Sequence, residues 1–149
     1  MLKQISLLIL CAVAIVLFAT PVHACTSAVV SGKVTLDGRP LLWKNRDTDF
    51  MRNHVDYVKG ERYDFIAVVN SANAYLKEAW MGTNSAGFAL MNTQSYNLVD
   101  VKGDEERGAA NGRVIYRALE VCATVEDFCH FLDTISKPSD IEANFGVID

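Results

Sequence analysis

The sequence predicts an α+β domain, because runs typical of β-strands come first and segments with helical periodicity follow. The candidate strands are rich in β-branched and small residues and are separated by turn-forming residues. They cover residues 26–34, 41–43, 54–58, 63–69, 79–82 and 88–92. Apolar residues recur at helical spacing from Val114 to Cys122 and from Val125 to Ile135. The 149 residues are enough for one domain.

Residues 1–24 have the organisation of a secretion signal. Lys3 precedes an uncharged apolar run over residues 7–19, and Pro21-Val22-His23-Ala24 follows it. The run is shorter than the about 20 apolar residues that a bilayer span needs. We therefore expect cleavage between Ala24 and Cys25, a secreted or periplasmic location, and no stable membrane span after processing.

The next segment predicts a β-hairpin that turns at Asp37-Gly38. It would return residues 44–49 toward the end of the hairpin at which Cys25 lies. A two-residue loop would pair Ala28 with Asp47, about 10 Å along the strand from Cys25. Only a bulge or a longer loop would bring Asp47 beside the thiol.

Turn and helix signals divide the rest of the chain. Residues 83–87 have turn composition, and we interpret the polar residues 97–112 as a solvated loop. Thr124 with Asp127 three residues later predicts the start of the second helix, and Pro138 is expected to end it. Residues 141–149 indicate one more strand.

The net charge and the number of cysteines narrow the range of possible functions. Removing residues 1–24 takes away Lys3 and leaves 13 basic against 18 acidic side chains, a net charge of −5. This balance argues against a nucleic-acid partner, which usually leaves a basic footprint. Cys25, Cys122 and Cys129 would remain, and an odd number in an oxidising compartment indicates a free thiol. A bridge between Cys122 and Cys129 would require a helix break between them. No zinc-ligand spacing is present; Cys129-His130 alone is a weak signal, and a buried packing cysteine is favoured over a metal ligand.

A cysteine at a new N-terminus carries both a nucleophile and a base. Thiolate is the reactive form of the side chain, and an α-amine has a pKa of about 7.7–8.0, so it accepts a proton near neutral pH. Such a residue can attack an amide carbonyl and pass a proton to the leaving amine. No metal or organic cofactor is needed.

Several motifs together resemble the cysteine-type N-terminal nucleophile (Ntn) hydrolases. They are Cys25-Thr26-Ser27, Asp37-Gly38, Asn45-x-Asp47, Gly82-Thr83-Asn84-Ser85-Ala86-Gly87-Phe88 and Met91-Asn92-Thr93. The resembled branch contains choloylglycine hydrolase, penicillin V acylase, acid-ceramidase-like amidases and isopenicillin N acyltransferase. The resemblance extends well from Cys25 to about Thr93 and loosely beyond.

The resemblance implies a four-layer αββα sandwich and cleavage or transfer of a non-peptide amide in a small N-acyl substrate. Cys25 would be the nucleophile and base, Asp47 would hold the amine or thiol, and Asn92 would lie in the oxyanion hole. The family arginine corresponds to Lys44, with Arg46 two positions later, and either cation could face the thiol. Whether water or another amine completes the reaction stays open.

The resemblance also implies that residues 25–149 are the N-terminal part of such a domain. The family supplies a second oxyanion-hole asparagine and another arginine from strands beyond the point corresponding to Asp149. We therefore expect the 149 residues alone to be inactive and the function to belong to a longer parent protein. An inactive truncated product is the corresponding alternative.

Other interpretations of the same residues stand beside these. Cys25 could be the lipidated first residue of a non-enzymatic surface protein, although His23 fits that signal poorly and a strand follows at once. Asp47 could be a surface carboxylate paired with Arg46 or Lys44, and Asn92 a turn or strand-end residue. The aromatic residues Trp43, Trp80, Phe88 and Tyr96 are expected in the core, and His54 and His130 in structural or solvated positions.

Overall fold

A computed structural model describes residues 25–72, 76–95, 109–136 and 140–149, which form seven strands and two α-helices. The strands are β1 (Thr26–Val30), β2 (Leu41–Asn45), β3 (Asn53–Val58), β4 (Phe65–Asn70), β5 (Met81–Asn84), β6 (Ala89–Gln94) and β7 (Ala143–Ile148). The helices are α1 (Ala109–Val121) and α2 (Val125–Asp133). The α+β composition predicted from the sequence is thus observed.

The β1–β2 hairpin has a longer connection than a two-residue turn. The predicted strand over residues 26–34 was too long, because β1 ends at Val30 and a 3-10 helix follows over Gly32–Val34. Ser31 caps that helix by accepting a hydrogen bond from the Lys33 amide. Such side-chain bonds offer the backbone an alternative to the strand ladder.

This long connection sets the register of the hairpin. Thr26 pairs with Asn45 and Ala28 pairs with Trp43, so the pairing of Ala28 with Asp47 is wrong. Asp47 instead lies beyond the end of β2, next to Cys25 before the start of β1. The hairpin thereby brings the two residues together, as the longer loop was expected to do.

The remaining strands form one antiparallel sheet in the order β3-β4-β5-β6-β7. The predicted strand at 79–82 was displaced, since β5 covers Met81–Asn84 and the Ala79 amide bonds instead to the Gly112 carbonyl of α1. The turn after β5 ends at Gly87, which has a φ of 95° and therefore favours glycine. The predicted strand at 141–149 is confirmed as β7, which pairs with β6.

The two helices follow their sequence signals closely, with one exception at the start of α1. That helix begins at Ala109, so the predicted loop over 97–112 was too long at its C-terminal end, and its residues 97–108 lie outside the described residues. Thr124 and Asp127 form the expected capping box of α2. The second helix ends at Asp133, and Pro138 lies outside the described residues.

The main core lies between the helices and the five-stranded sheet. Alternate residues of β4 point into it, and the ring of Phe88 lies near that of Phe128 of α2, with centroids 6.1 Å apart and the ring planes tilted by 46°. Its buried members come from β4, β6, both helices and the segments that precede β5, precede β6 and follow α1: Phe65, Ala67, Val69, Ala79, Phe88, Leu90, Val114, Ile115, Ala118, Leu119, Cys122 and Phe128. None of the helices in the described part of the chain is long and apolar enough to cross a membrane.

The hairpin packs on the opposite face of the sheet. A Cβ placed at Gly146 of β7 would lie 2.9 Å from Met91 Cε, 3.1 Å from Val29 Cγ2 and 3.4 Å from Leu42 Cδ1. Glycine at this position therefore allows the hairpin to approach closely. The described residues form three layers in the order helices, sheet and hairpin. The four-layer αββα sandwich stays a prediction, because the described part contains no second helical layer outside the hairpin.

Asn84 joins the sheet to the end of α1. Its Nδ2 donates to the carbonyls of Leu119 at 3.0 Å and Cys122 at 2.7 Å. Its Oδ1 accepts from the amides of Ala86 and Phe88 at 3.1 and 3.2 Å. One buried side chain thus satisfies four backbone groups that packing shields from water.

Replacing Asn84 with alanine should lower the free energy of unfolding by about 2–4 kcal/mol, because buried backbone groups would lose their partners. Urea denaturation of the two proteins measures this difference. Ser85→Ala, at the exposed neighbouring position, is the matched control and should change stability by less than about 0.5 kcal/mol. Equal effects of the two substitutions would contradict this role.

Candidate active site

A cavity of about 220 Å³ lies at the end of the hairpin where β1 begins and β2 ends. It contains all five residues that the sequence predicts for the site. Its lining residues are Cys25, Lys44, Arg46, Asp47, Thr48, Phe50, Trp80, Asn92 and Gln94. Residues far apart in the sequence therefore converge around one thiol.

Cys25 is half-buried and immediately precedes β1. Its thiol donates a hydrogen bond to the main-chain carbonyl of Asp47, with a sulfur-to-oxygen distance of 3.7 Å. Asp47 thus contacts the thiol through its backbone, and the residue as a whole is exposed. The resemblance had implied that this residue holds the amine or thiol, and the contact with the thiol comes from the peptide carbonyl.

Lys44 extends from β2 to the neighbouring sheet. Its Nζ donates to the carbonyl oxygen of Trp80 at 3.1 Å and to Oδ1 of Asn92 at 2.9 Å. The pKa of Lys44 is lowered from 10.5 to about 8, mainly by burial; the negative charge of a Cys25 thiolate opposes this shift and the charge of Arg46 adds to it. The lysine therefore connects the two layers and interacts with the thiol through its charge.

Arg46 follows the end of β2 and is held over an aromatic ring. Its guanidinium carbon lies 4.7 Å from the centroid of the Trp80 ring, and one of its nitrogens donates to Oδ1 of Asn53. Burial lowers the pKa of this arginine, and the charge of a Cys25 thiolate opposes the effect. The charge of Cys25 thus affects the pKa of both Lys44 and Arg46, the two cations between which the sequence left the choice open.

Asn92 lies in β6 and is only 3% exposed. Its backbone pairs with Phe145 of β7, and its Oδ1 accepts the hydrogen bond from Lys44. Because the amide oxygen is turned toward a cation, the amide nitrogen is turned away from it. The structure thus fixes which end of this carboxamide acts as a donor.

Trp80 and Gln94 were not predicted as site residues. Trp80 was expected in the core together with Trp43, yet Trp43 is 53% exposed and Trp80 lines the cavity beneath Arg46. Gln94 lines the cavity and accepts a hydrogen bond from Nδ2 of Asn111 in α1 at 3.2 Å. The sequence spacing could have identified Gln94: it follows Asn92 by two positions, so both side chains point to the same face of β6.

The structure also places the remaining aromatic residues expected in the core and the two histidines. Phe88 is fully buried as predicted, and Tyr96 lies outside the described residues. His54 and His130 are both exposed, with His54 bonded to Ser71 at 2.9 Å. These positions agree with structural or solvated roles.

The other two cysteines differ from Cys25. Cys122 and Cys129 are free thiols, although Cys122 follows the last residue of α1 and Cys129 lies in α2, so no continuous helix joins them. Burial raises the pKa of Cys122 to about 11, which disfavours its reactive thiolate form. Cys129 is exposed, so the expectation of a buried packing residue there is wrong. The residues that the structure describes contain no group of His, Cys, Asp and Glu able to hold a metal ion.

A second, larger cavity of about 320 Å³ lies between the hairpin and the sheet. Its lining is mainly apolar and includes Leu41, Val68 and Met81. Leu41 begins β2 and Asn45 ends it, so this cavity opens about 13 Å from the thiol end of the hairpin. The smaller cavity is the candidate site because it contains the nucleophile and both cations.

No family model, curated protein or solved structure matches this chain.

The lowered pKa of Lys44 predicts a specific dependence of stability on pH. Between about 8 and 10.5 the unfolded chain binds a proton at this residue that the folded chain has lost. The contribution of Lys44 to the free energy of unfolding should therefore rise with pH across this range. The difference in stability between the unsubstituted chain and Lys44→Met should rise in parallel.

Urea denaturation of both chains at intervals from about pH 7 to about pH 11 measures this difference, because other titrating groups cancel in the subtraction. Lys33→Met removes an exposed lysine from the hairpin loop and serves as the control. A pH-independent difference for Lys44→Met, or the same rise for Lys33→Met, would contradict the assignment.

Proposed function

We propose that this protein is a secreted or periplasmic amidohydrolase or acyltransferase in which Cys25 is the nucleophile. The observation that carries the proposal is the convergence of Cys25, Lys44, Arg46, Asp47 and Asn92 around one cavity. The other four all lie more than ten positions from Cys25 in the sequence, and one of them, Asp47, contacts its sulfur through the main-chain carbonyl. This arrangement supports acyl transfer through a thioester.

Two cations line the same cavity as the Cys25 thiol. Lys44 and Arg46 both line the cavity, and both interact electrostatically with the thiol. The cavity therefore brings two cationic side chains beside the proposed nucleophile, and the proposal needs no metal or organic cofactor.

The base in this proposal is the α-amine that cleavage after Ala24 releases on Cys25. The amine accepts the thiol proton, and the sulfur attacks the amide carbonyl to form a C–S bond. The C–N bond then breaks, and the same proton passes to the leaving amine. Water, or a second amine, attacks the thioester and regenerates the thiol with release of the acid or the new amide.

Asn92 supplies the donor for the oxyanion. Its side-chain oxygen is engaged by Lys44, so its Nδ2 group is the end available to a developing negative charge. Preorganised amide donors of this kind typically contribute about 10²–10³ to the rate. The substrate class that fits is a small N-acyl amide, and the αββα sandwich remains the proposed complete fold.

The N-terminus of the exported protein provides the first test. The chain is produced with residues 1–24, collected after export, and its intact mass is measured. We expect a mass that corresponds to a chain beginning at an unmodified Cys25. A diacylglycerol adduct on Cys25 would support a lipid-anchored surface protein instead, and any other first residue would overturn the mechanism.

Acylation of the exported chain provides the second test. An activated ester such as p-nitrophenyl acetate needs no proton for its leaving group, so the thiol should form a thioester with it. Cys25→Ala should abolish the burst of p-nitrophenolate and the acetyl adduct seen by mass spectrometry. Cys129→Ala, which removes the exposed thiol, is the matched control and should leave the Cys25 adduct unchanged. An adduct that survives Cys25→Ala would refute the nucleophile.

A further inference from the structure

We propose that Lys44 is a positioning residue for the oxyanion donor: it holds the oxygen of the Asn92 carboxamide so that the amide NH₂ group faces the reacting carbonyl at Cys25. This inference rests on the proposed function and deepens it. The geometry that carries it is the pair of bonds from Lys44 Nζ, 2.9 Å to Asn92 Oδ1 and 3.1 Å to the Trp80 carbonyl.

A carboxamide has one accepting end and one donating end, and rotation by about 180° exchanges them. A lysine ammonium carries three donors and no acceptor. If the Asn92 amide rotated, two donors would face each other at hydrogen-bond distance. Lys44 therefore favours one orientation of the amide and opposes the other.

The ammonium group itself is held in place by a second acceptor. The Trp80 carbonyl belongs to the peptide just before β5, whose first residue Met81 pairs with Met91 of β6. Asn92 is the next residue of β6, so both acceptors belong to neighbouring points of the same sheet. The lysine is thus fixed by the sheet and does not depend on the substrate for its position.

Burial makes this control effective. Asn92 is 3% exposed, so water competes little for its amide. A buried hydrogen bond to a charged donor is stronger than one between neutral groups, and the cost of leaving such a group unpaired is larger. Substituting Lys44 should thus release the amide orientation.

Two reactions of the Cys25 thiol separate this role from simple activation of the thiolate. Acylation by p-nitrophenyl acetate passes through an oxyanion, whereas alkylation by iodoacetamide does not. Both reactions require the thiolate, so the ratio of their rate constants cancels any change in thiol ionisation. The ratio therefore reports the oxyanion donor alone.

We expect Lys44→Met to lower the ratio of acylation to alkylation by about tenfold or more, and Asn92→Ala to lower it by about 10²–10³. The double variant should be no lower than Asn92→Ala, because the lysine acts only through the asparagine. Lys33→Met is the matched control and should leave the ratio unchanged. An unchanged ratio in Lys44→Met, or multiplying effects in the double variant, would overturn the proposal.

Two conservative variants keep the test decisive if Lys44→Met does not fold. Lys44→Arg retains a cationic donor and should retain most of the ratio. Asn92→Asp retains an acceptor for Lys44 but replaces the NH₂ group with oxygen. Its ratio of acylation to alkylation should therefore fall, as it does in Asn92→Ala. A folded Lys44→Arg variant whose ratio is lowered as much as that of Asn92→Ala would contradict the proposal. An Asn92→Asp variant whose ratio equals that of the unsubstituted chain would also contradict it. Absence of any Cys25 acylation in the unsubstituted chain would overturn the proposed function and this inference together.

Discussion

The site depends on how closely the β1–β2 hairpin packs against the five-stranded sheet. Gly146 has no side chain at the point of closest approach, and Val29 and Leu42 of the hairpin fill the space beside Met91. This apolar contact sets the distance between the layers. It therefore determines whether a lysine on β2 can reach an asparagine on β6. Hydrogen bonding alone would not bring these two residues together.

Polar and charged groups extend the contact between the hairpin and the sheet at the end of the hairpin where β2 ends. Bringing Lys44 and Arg46 out of water costs free energy, and the pKa of each is lowered as a result. Their partners offset part of that cost: two acceptors for Lys44, and the Trp80 ring together with Asn53 for Arg46. A cost of this kind at a cavity that contains a thiol is typical of functional sites.

The elements that sequence reasoning placed well are those with strong local signals. Alternating or β-branched runs identified β3 and β4, and the capping box identified the start of α2. The errors arose where tertiary or side-chain bonds compete with the strand pattern. Ser31 ends β1 early by capping a 3-10 helix, and Ala79 bonds to α1 instead of joining β5.

The sequence by itself determined the kinds of chemical group at the site and their order along the chain. A cysteine after a predicted cleavage signal, cations at positions 44 and 46 and an amide at position 92 are all visible without coordinates. Only the tertiary structure decided how they meet. The register of β1 with β2 places the Asp47 carbonyl at the thiol, and the packing of the hairpin places Lys44 on Asn92. These contacts join residues 22 and 48 positions apart. Local sequence signals extend over only a few residues, whereas such distances are set by the summed packing of whole layers.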